Sequence, residues 1–374
     1  MRIAGAEQVI RQLVRHTDRK RFDVSVLCLE STMGPFGTEL QKAGFEVTCL
    51  GRTPGFDVSL VGKVRKHIVQ HGIDIVHCHQ YTPYVYGVLG ALATGCKVVF
   101  TEHGRMHPDR AKLKRVFVNP LLNMATDRIT AISLATRRAL VEYEKFPAKD
   151  IKVIYNGIED MSGDFSSGSA EDGKKKLGID QHAAVVGTVA RLDRIKNHQM
   201  MMRAVQKVIS TFPDTVLLLV GDGPERPVLE DLVSELELEP SVIITGFLDH
   251  AAWTYRTMDV FLLTSFTEGT SMSLLEAISN GLPCVVTDVG GNPEVVKAGE
   301  NGILIQSNDV DDLAEKICLL LSDPGLKKRF GENARKIFET GFTIGKMIES
   351  YERVYDELSP SPAFQPCSRF ITGK

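Results

Sequence analysis

The sequence predicts an α/β protein of two doubly wound, Rossmann-like domains. Three observations carry this. The chain has 374 residues, beyond the roughly 250–300 at which a single core stops growing. Short β-rich runs alternate with helix-period stretches nearly from end to end, the pattern of parallel sheets covered by helices. The alternation stops once, at Asp160–Lys176 (DMSGDFSSGSAEDGKKK), where Gly, Ser and charge replace apolar residues, and then restarts.

The first domain is expected over residues 1–158. Its strand-like runs are Phe22–Leu29, Phe45–Leu50, Ile73–His77, Lys97–Thr101, Arg128–Ala131 and Lys152–Tyr155. A linker is expected over 159–180. The second domain, 181–342, has runs at Ala183–Val189, Thr215–Val220, Val242–Thr245, Val260–Thr264, Pro283–Thr287 and Gly302–Ile305. A helix over 343–358 puts Met347, Ile348, Tyr351, Val354 and Tyr355 on one face, and is expected to pack back on the N-terminal domain. The tail, 359–374, holds prolines and little pattern, and is expected to be frayed.

The start is irregular. Gly5-Ala6-Glu7 leads straight into a helix whose Val9, Ile10, Leu13 and Val14 form an apolar stripe. A doubly wound domain begins with a strand before that helix, and here the first strand is missing. Its loss would leave two interior edges of the sheet unpaired.

Composition excludes several classes. A net charge of -3 gives no broad basic face for nucleic acid. The seven cysteines are scattered without a C-x-x-C pair, which fits a reduced setting better than a disulfide framework or a zinc site. No signal-peptide pattern opens the chain. The longest apolar run, Tyr84–Ala93, is shorter than the about 20 residues that span a bilayer. A cytoplasmic protein is expected.

Chemistry concentrates in the second half. In Ser265–Gly281 (SFTEGTSMSLLEAISNG), Glu268 follows a strand and Glu276 lies inside the next helix. The helix start near Thr270, Ser271, Met272 and Ser273 offers free N–H groups to a phosphate, and Gly269 permits close approach. A carboxylate accepts two hydrogen bonds from a vicinal diol. Two carboxylates flanking a diphosphate can therefore grip a sugar at each end. In Gly187–His198 (GTVARLDRIKNH), Arg191 and Lys196 occupy a loop between a strand and a helix, where a guanidinium and an ammonium can neutralise phosphate. Gly221 begins a tight turn, and Gly246 and Phe247 end a strand where backbone can pack on a nucleobase. Taken singly, each residue is as well explained by a solvated surface or an ordinary turn. The strand–Gly–helix frame is what favours a site.

With ARLDRIKNH, LLLVGDGPER, ITGFLDH and SFTEGTSMSLLEAISNGLPCVVTDVGGNPEVV in this order, the second half resembles the family-4 retaining glycosyltransferases of GT-B fold. The likeness is strong over Val186–Ile305 and weaker elsewhere. It implies two domains facing a cleft and a UDP- or GDP-sugar donor. It implies a glycan or lipid-linked acceptor in polysaccharide or cell-envelope synthesis, with no metal and no cofactor. By the same resemblance Arg191 and Lys196 contact the donor diphosphate, Glu276 the ribose, and Glu268 the transferred hexose.

In the first half, DIVHCH and TEHG match strand ends of the family's acceptor domain. His103 corresponds to a residue touching the transferred sugar from the acceptor side. His79 and Gly5 are assigned to that side too, although Ala4-Gly5 replaces the usual Gly-Gly. The basic run Arg105–Arg115 suits a solvated face or an anionic lipid headgroup at a membrane surface, with no large apolar face evident beside it. Two other functions stay open: a nucleotide-sugar epimerase of the same fold, and a truncated transferase that binds donor without turnover.

Overall fold

The computed structural model describes residues 5–104, 113–162, 169–359 and 368–373. The chain divides into two compact units, residues 1–157 with 344–374, and residues 158–343.

The first unit contains β1 (Phe22–Cys28), β2 (Glu46–Cys49), β3 (Ile75–His79), β4 (Lys97–Glu102), β5 (Arg128–Ala131) and β6 (Ile151–Val153). Strands covered on both faces read as near-continuous apolar runs. All five residues of β3 are buried, although two of them are histidines. The helix Ile344–Leu358 belongs to this unit. It buries Met347, Ile348, Tyr351, Val354, Tyr355 and Leu358, and Tyr355 meets Phe22 edge-on at 5.7 Å.

The second unit contains β7 (Val185–Val189), β8 (Val216–Val220), β9 (Val242–Gly246), β10 (Val260–Leu263), β11 (Cys284–Thr287) and β12 (Gly302–Ile305). They form one parallel sheet in the order β12-β11-β10-β7-β8-β9. The strand order reverses between β7 and β10. In open parallel sheets that reversal opens a crevice outside the strand C-termini, and ligands bind there.

Two expectations are corrected. The first concerns the frayed tail and the vacant place in the sheet. Ser368–Gly373 forms a last strand, β13, and the first sheet runs β2-β1-β13-β3-β4-β5-β6. β13 pairs in parallel with β1, from Phe22↔Ser368 to Val26↔Thr372. It also pairs with β3, from Phe370↔Ile75 to Gly373↔Cys78. Ile371 is 2% exposed and joins the core cluster of Leu27, Val76 and Cys78. The physical cause is the pair of open edges: unpaired interior N–H and C=O groups cost free energy, and a short β-prone run at the other end of the chain satisfies them.

The second correction concerns the linker. Residues 170–177 are helical, with Ser169 and Asp172 closing a capping box. Gly173 allows the helix to dock, since a Cβ there would lie 2.0 Å from Thr257 Oγ1. One glycine in place of an apolar stripe is why the composition reads as a bare linker.

Candidate functional site

The site residues of the second unit gather at the β7–β10 reversal. After β7 the chain turns through Ala190–Lys196. The Ala190 N–H donates to Val220 O at 3.0 Å, and the Leu192 N–H to Asp222 O at 3.1 Å. This close approach requires glycine opposite: a Cβ on Gly221 would lie 2.0 Å from Ala190 O, and one on Gly223 2.2 Å from Leu192 O. Gly246, at φ +74°, joins the same group, its carbonyl accepting from the Gly221 N–H at 3.1 Å. Phe247 beside it is 57% exposed.

The loop after β10 is held from two sides. The Phe266 N–H donates to Ile195 O at 2.8 Å, and Thr264 Oγ1 donates to the carbonyls of Lys196 and Asn197 at 3.0 and 2.9 Å. From the other side, Gly290 packs so tightly that a Cβ would stand 1.9 Å from Glu268 O. These contacts set Glu268 against Lys196, with Nζ to Oε1 2.5 Å, and Ser265 Oγ donates to the same oxygen at 2.7 Å. Lys196 thus has a carboxylate counter-ion. Arg191 is not drawn into this cluster. Its side chain is 71% exposed and its Nε lies 3.8 Å from Asp193 Oδ2, so the guanidinium can swing toward an anion.

Thr270 and Ser271 are buried, and Ser271 caps the helix Met272–Ser279 by accepting from the Leu274 N–H. The first-turn N–H groups of Met272 and Ser273 follow the Gly269-Thr270-Ser271 segment. Glu276 lies about one turn into this helix. Its Oε2 accepts a 2.5 Å hydrogen bond from the Tyr255 hydroxyl. Tyr255 is 1% exposed. Burial, reinforced by the Glu276 carboxylate, holds its phenol well above the ordinary value of 10.0, so it remains a donor. No local pattern points to Tyr255, because the two residues lie on different helices.

In the first unit, His79 Nδ1 and His103 Nε2 are 2.8 Å apart, one ring donating to the other. His77 makes two hydrogen bonds, Nδ1 to the Tyr355 hydroxyl at 2.7 Å and Nε2 to Thr101 Oγ1 at 2.6 Å. Burial pushes His77 down to about 3 and His79 well below 6.5, so both are neutral near pH 7. Gly5 is an exposed first residue of the helix Gly5–His16, and among the described residues no hydrogen bond ties it to either histidine. Residues 105–112 of the basic run lie outside the described residues. Lys114 is exposed, and Arg115 pairs with the buried Glu144 at 2.7 Å. Among the described residues no group of three His, Cys, Asp or Glu could hold a metal ion, and no helix is long and apolar enough to cross a membrane.

Two Rossmann-like units with cations, carboxylates and a helix start at a switch point define a GT-B sugar-transferring enzyme. Comparison with known proteins agrees. "Glycosyltransferase Family 4" matches residues 3–160 and "Glycosyl transferases group 1" matches residues 169–337. The chain belongs to the family-4 glycosyltransferases.

It is 30% identical over 314 residues to N-acetyl-alpha-D-glucosaminyl L-malate synthase of Bacillus anthracis, covering 82% of this chain and 80% of that one. It is 26% identical over 370 residues to the UDP-Gal:alpha-D-GlcNAc-diphosphoundecaprenol alpha-1,3-galactosyltransferase of Escherichia coli, covering 95% and 94%. The crystal structure of Anabaena Alr3699/HepE in complex with UDP-glucose shares the fold, with a TM-score of 0.82 and 24% identity over 95% of this chain and 96% of that one.

Proposed function

We propose that this glycosyltransferase moves a hexose from a nucleotide-diphosphate sugar to a glycan or lipid-linked acceptor in polysaccharide or cell-envelope synthesis. Anomeric configuration is retained, and no metal takes part. The observation that carries the reading is the convergence of Lys196, Glu268 and the Met272–Ser279 helix start at the β7–β10 switch point.

In this reading Glu276 accepts the ribose hydroxyls, and Glu268 holds hydroxyls of the transferred sugar. Arg191 and Lys196 neutralise the diphosphate as its bond to the sugar breaks. Charge stabilisation of this kind acts where charge develops. His103, hydrogen-bonded to His79, contacts the sugar from the acceptor side. A UDP donor is favoured by the UDP-glucose bound in the Anabaena structure, and a lipid-diphosphate acceptor by the diphosphoundecaprenol acceptor of the Escherichia coli galactosyltransferase. The filled first sheet favours turnover over donor binding alone.

The test incubates the protein with labelled UDP-glucose, UDP-galactose, UDP-N-acetylglucosamine and GDP-mannose, with and without a lipid and glycan extract. Sugar transferred with its α configuration kept, read by NMR of the product, is the expected result. Inversion at C2 with donor alone would make the protein an epimerase. Tight nucleotide binding with no transfer to any acceptor would make it a binding protein.

A further inference from the structure

A cavity of about 440 Å³ lies against the loop that carries Lys196. It sits where three helices of the second unit begin, His198–Val208, Arg226–Glu235 and Val310–Ser322. Its wall includes Asp193, Asn197, His198, Glu225, Phe266 and Asn308, and none of the residues assigned above to the donor lines it. A volume of this size holds a small molecule. His198 borders the cavity, is 2% exposed, and has no hydrogen-bond partner on either ring nitrogen. Burial holds it down to about 4, so near pH 7 the neutral ring keeps one donor and one acceptor. The Ser307 hydroxyl, next to Asn308 in the chain, is also buried without a partner. Buried polar groups left unpaired cost free energy, and here they cluster at an open volume. The Asn197 amide donates to Asn308 Oδ1 at 3.1 Å, which ties two of the helix starts together.

The lining identifies the ligand class. The carboxylates of Asp193 and Glu225 can each accept two hydrogen bonds from a vicinal diol. The amides of Asn197 and Asn308 and the His198 ring both donate and accept. Phe266, 42% exposed, offers a ring face to C–H groups. The two carboxylates meet one lining cation, Arg194, so an anionic ligand would face net negative charge. A neutral ligand dense in hydroxyls satisfies every one of these groups. We infer that this cavity binds a sugar unit of a neutral glycan, apart from the donor and its transferred sugar. Its wall is shared with the donor loops. The Phe266 N–H donates to Ile195 O at 2.8 Å, and Asp193 Oδ2 lies 3.8 Å from Arg191 Nε. A sugar held here braces the loops of Lys196 and Glu268 and tightens donor binding, and the donor tightens the sugar by the same factor. The inference rests on the donor reading for this coupling alone.

The whole protein, isotopically labelled at histidine, is titrated with the methyl glycosides of glucose, galactose, mannose and N-acetylglucosamine, with and without UDP. NMR follows the His198 ring signals, identified by their loss in His198→Gln. At least one glycoside should shift them and tighten UDP binding at least about fivefold. Glu225→Ala with Phe266→Ala should weaken that glycoside at least about tenfold. Both side chains are at least partly exposed, so the thermal midpoint and the UDP affinity without glycoside should stay unchanged. No shift with any of the four, or a double variant that binds glycoside as the parent does, overturns the inference. So do His198 signals that move with inorganic phosphate and not with glycosides, which would assign the cavity to an anion. Unchanged UDP affinity with the cavity filled would overturn the coupling. Glycoside binding in a protein that binds no UDP would remove the donor reading and leave this one standing.

Discussion

Shortening Ile371 to alanine probes whether the terminal strand holds the first sheet together. Ile371 is 2% exposed and packs among Leu27, Val76 and Cys78. Replacing a buried Ile by Ala removes transfer energy and leaves a cavity, together about 2–5 kcal/mol. In a domain of this size each kcal/mol moves the midpoint by about 2–4 °C. A mid-range loss of about 3 kcal/mol therefore lowers the first unit's melting by about 6–12 °C.

Truncation after Leu358 goes further. It removes the pairing at five positions on β1 and four on β3, each backbone bond contributing about 0.5–1.5 kcal/mol net. With Ile371 lost as well, the total approaches the about 5–15 kcal/mol by which a domain is stable. The truncated first unit should not hold its fold. Hydrogen exchange resolved by residue reads this directly, with Val24 and Val26 of β1 and Val76 of β3 losing protection while β8 keeps it. Unchanged protection at those three residues in the truncated chain would refute the role given to β13. So would an Ile371→Ala midpoint within about 1 °C of the parent.

Four further outcomes are expected. Glu276→Ala should weaken nucleoside diphosphate binding by about 1.5–3 kcal/mol, the usual worth of a hydrogen bond to a charged group. Tyr255→Phe should reduce the preference for UDP over 2′-deoxy-UDP in calorimetry, because the Tyr255 hydroxyl fixes Glu276 Oε2. A variant with the parent's preference would show that the bond does not position the carboxylate. Arg191→Ala should lower turnover more than donor affinity, since negative charge grows on the diphosphate as the bond breaks, and equal losses in kinetics and binding would contradict this. The first unit should also be acid-labile. His77 is held down to about 3 against an ordinary 6.5, mainly by burial, so the unfolded chain binds the proton first. This contribution is complete above pH 6.5 and is lost as pH falls toward 3, by up to about 1.4 kcal/mol per pH unit. His77→Gln should flatten that slope in urea midpoints measured across the window, and an unaltered slope would exclude His77 as its source.

Much of this protein was legible before folding. The strand runs and their helices are local patterns, since burial on both sheet faces demands continuous apolar residues and glycine marks loops that touch. Glu268 and Lys196 could be picked out because each sits at a strand-to-helix turn, and Glu276 because it lies about one turn into the helix that follows; parallel topology sends all such turns to one sheet edge. The pairing of Lys196 with Glu268 could not, because it depends on β7 and β10 becoming neighbours.

Tertiary structure alone decided the rest. A run such as Arg369–Gly373 is too short to identify as a strand by periodicity, and only the open edges of β1 and β3 make it one. Tyr255 meets Glu276, and Tyr355 meets His77, across separations that no local pattern encodes. The outward apolar stripe of Leu113–Met124, where Phe117, Leu121 and Met124 are exposed beside the basic run, was equally hidden. Its residues alternate in type as any amphipathic helix does, and only its inward partners, half-buried Tyr81 and buried Glu144, show which side faces in. A sequence determines periodicity and loop chemistry because these arise between near neighbours. Which edge is left open, and which face turns outward, depends on contacts between residues far apart in the chain.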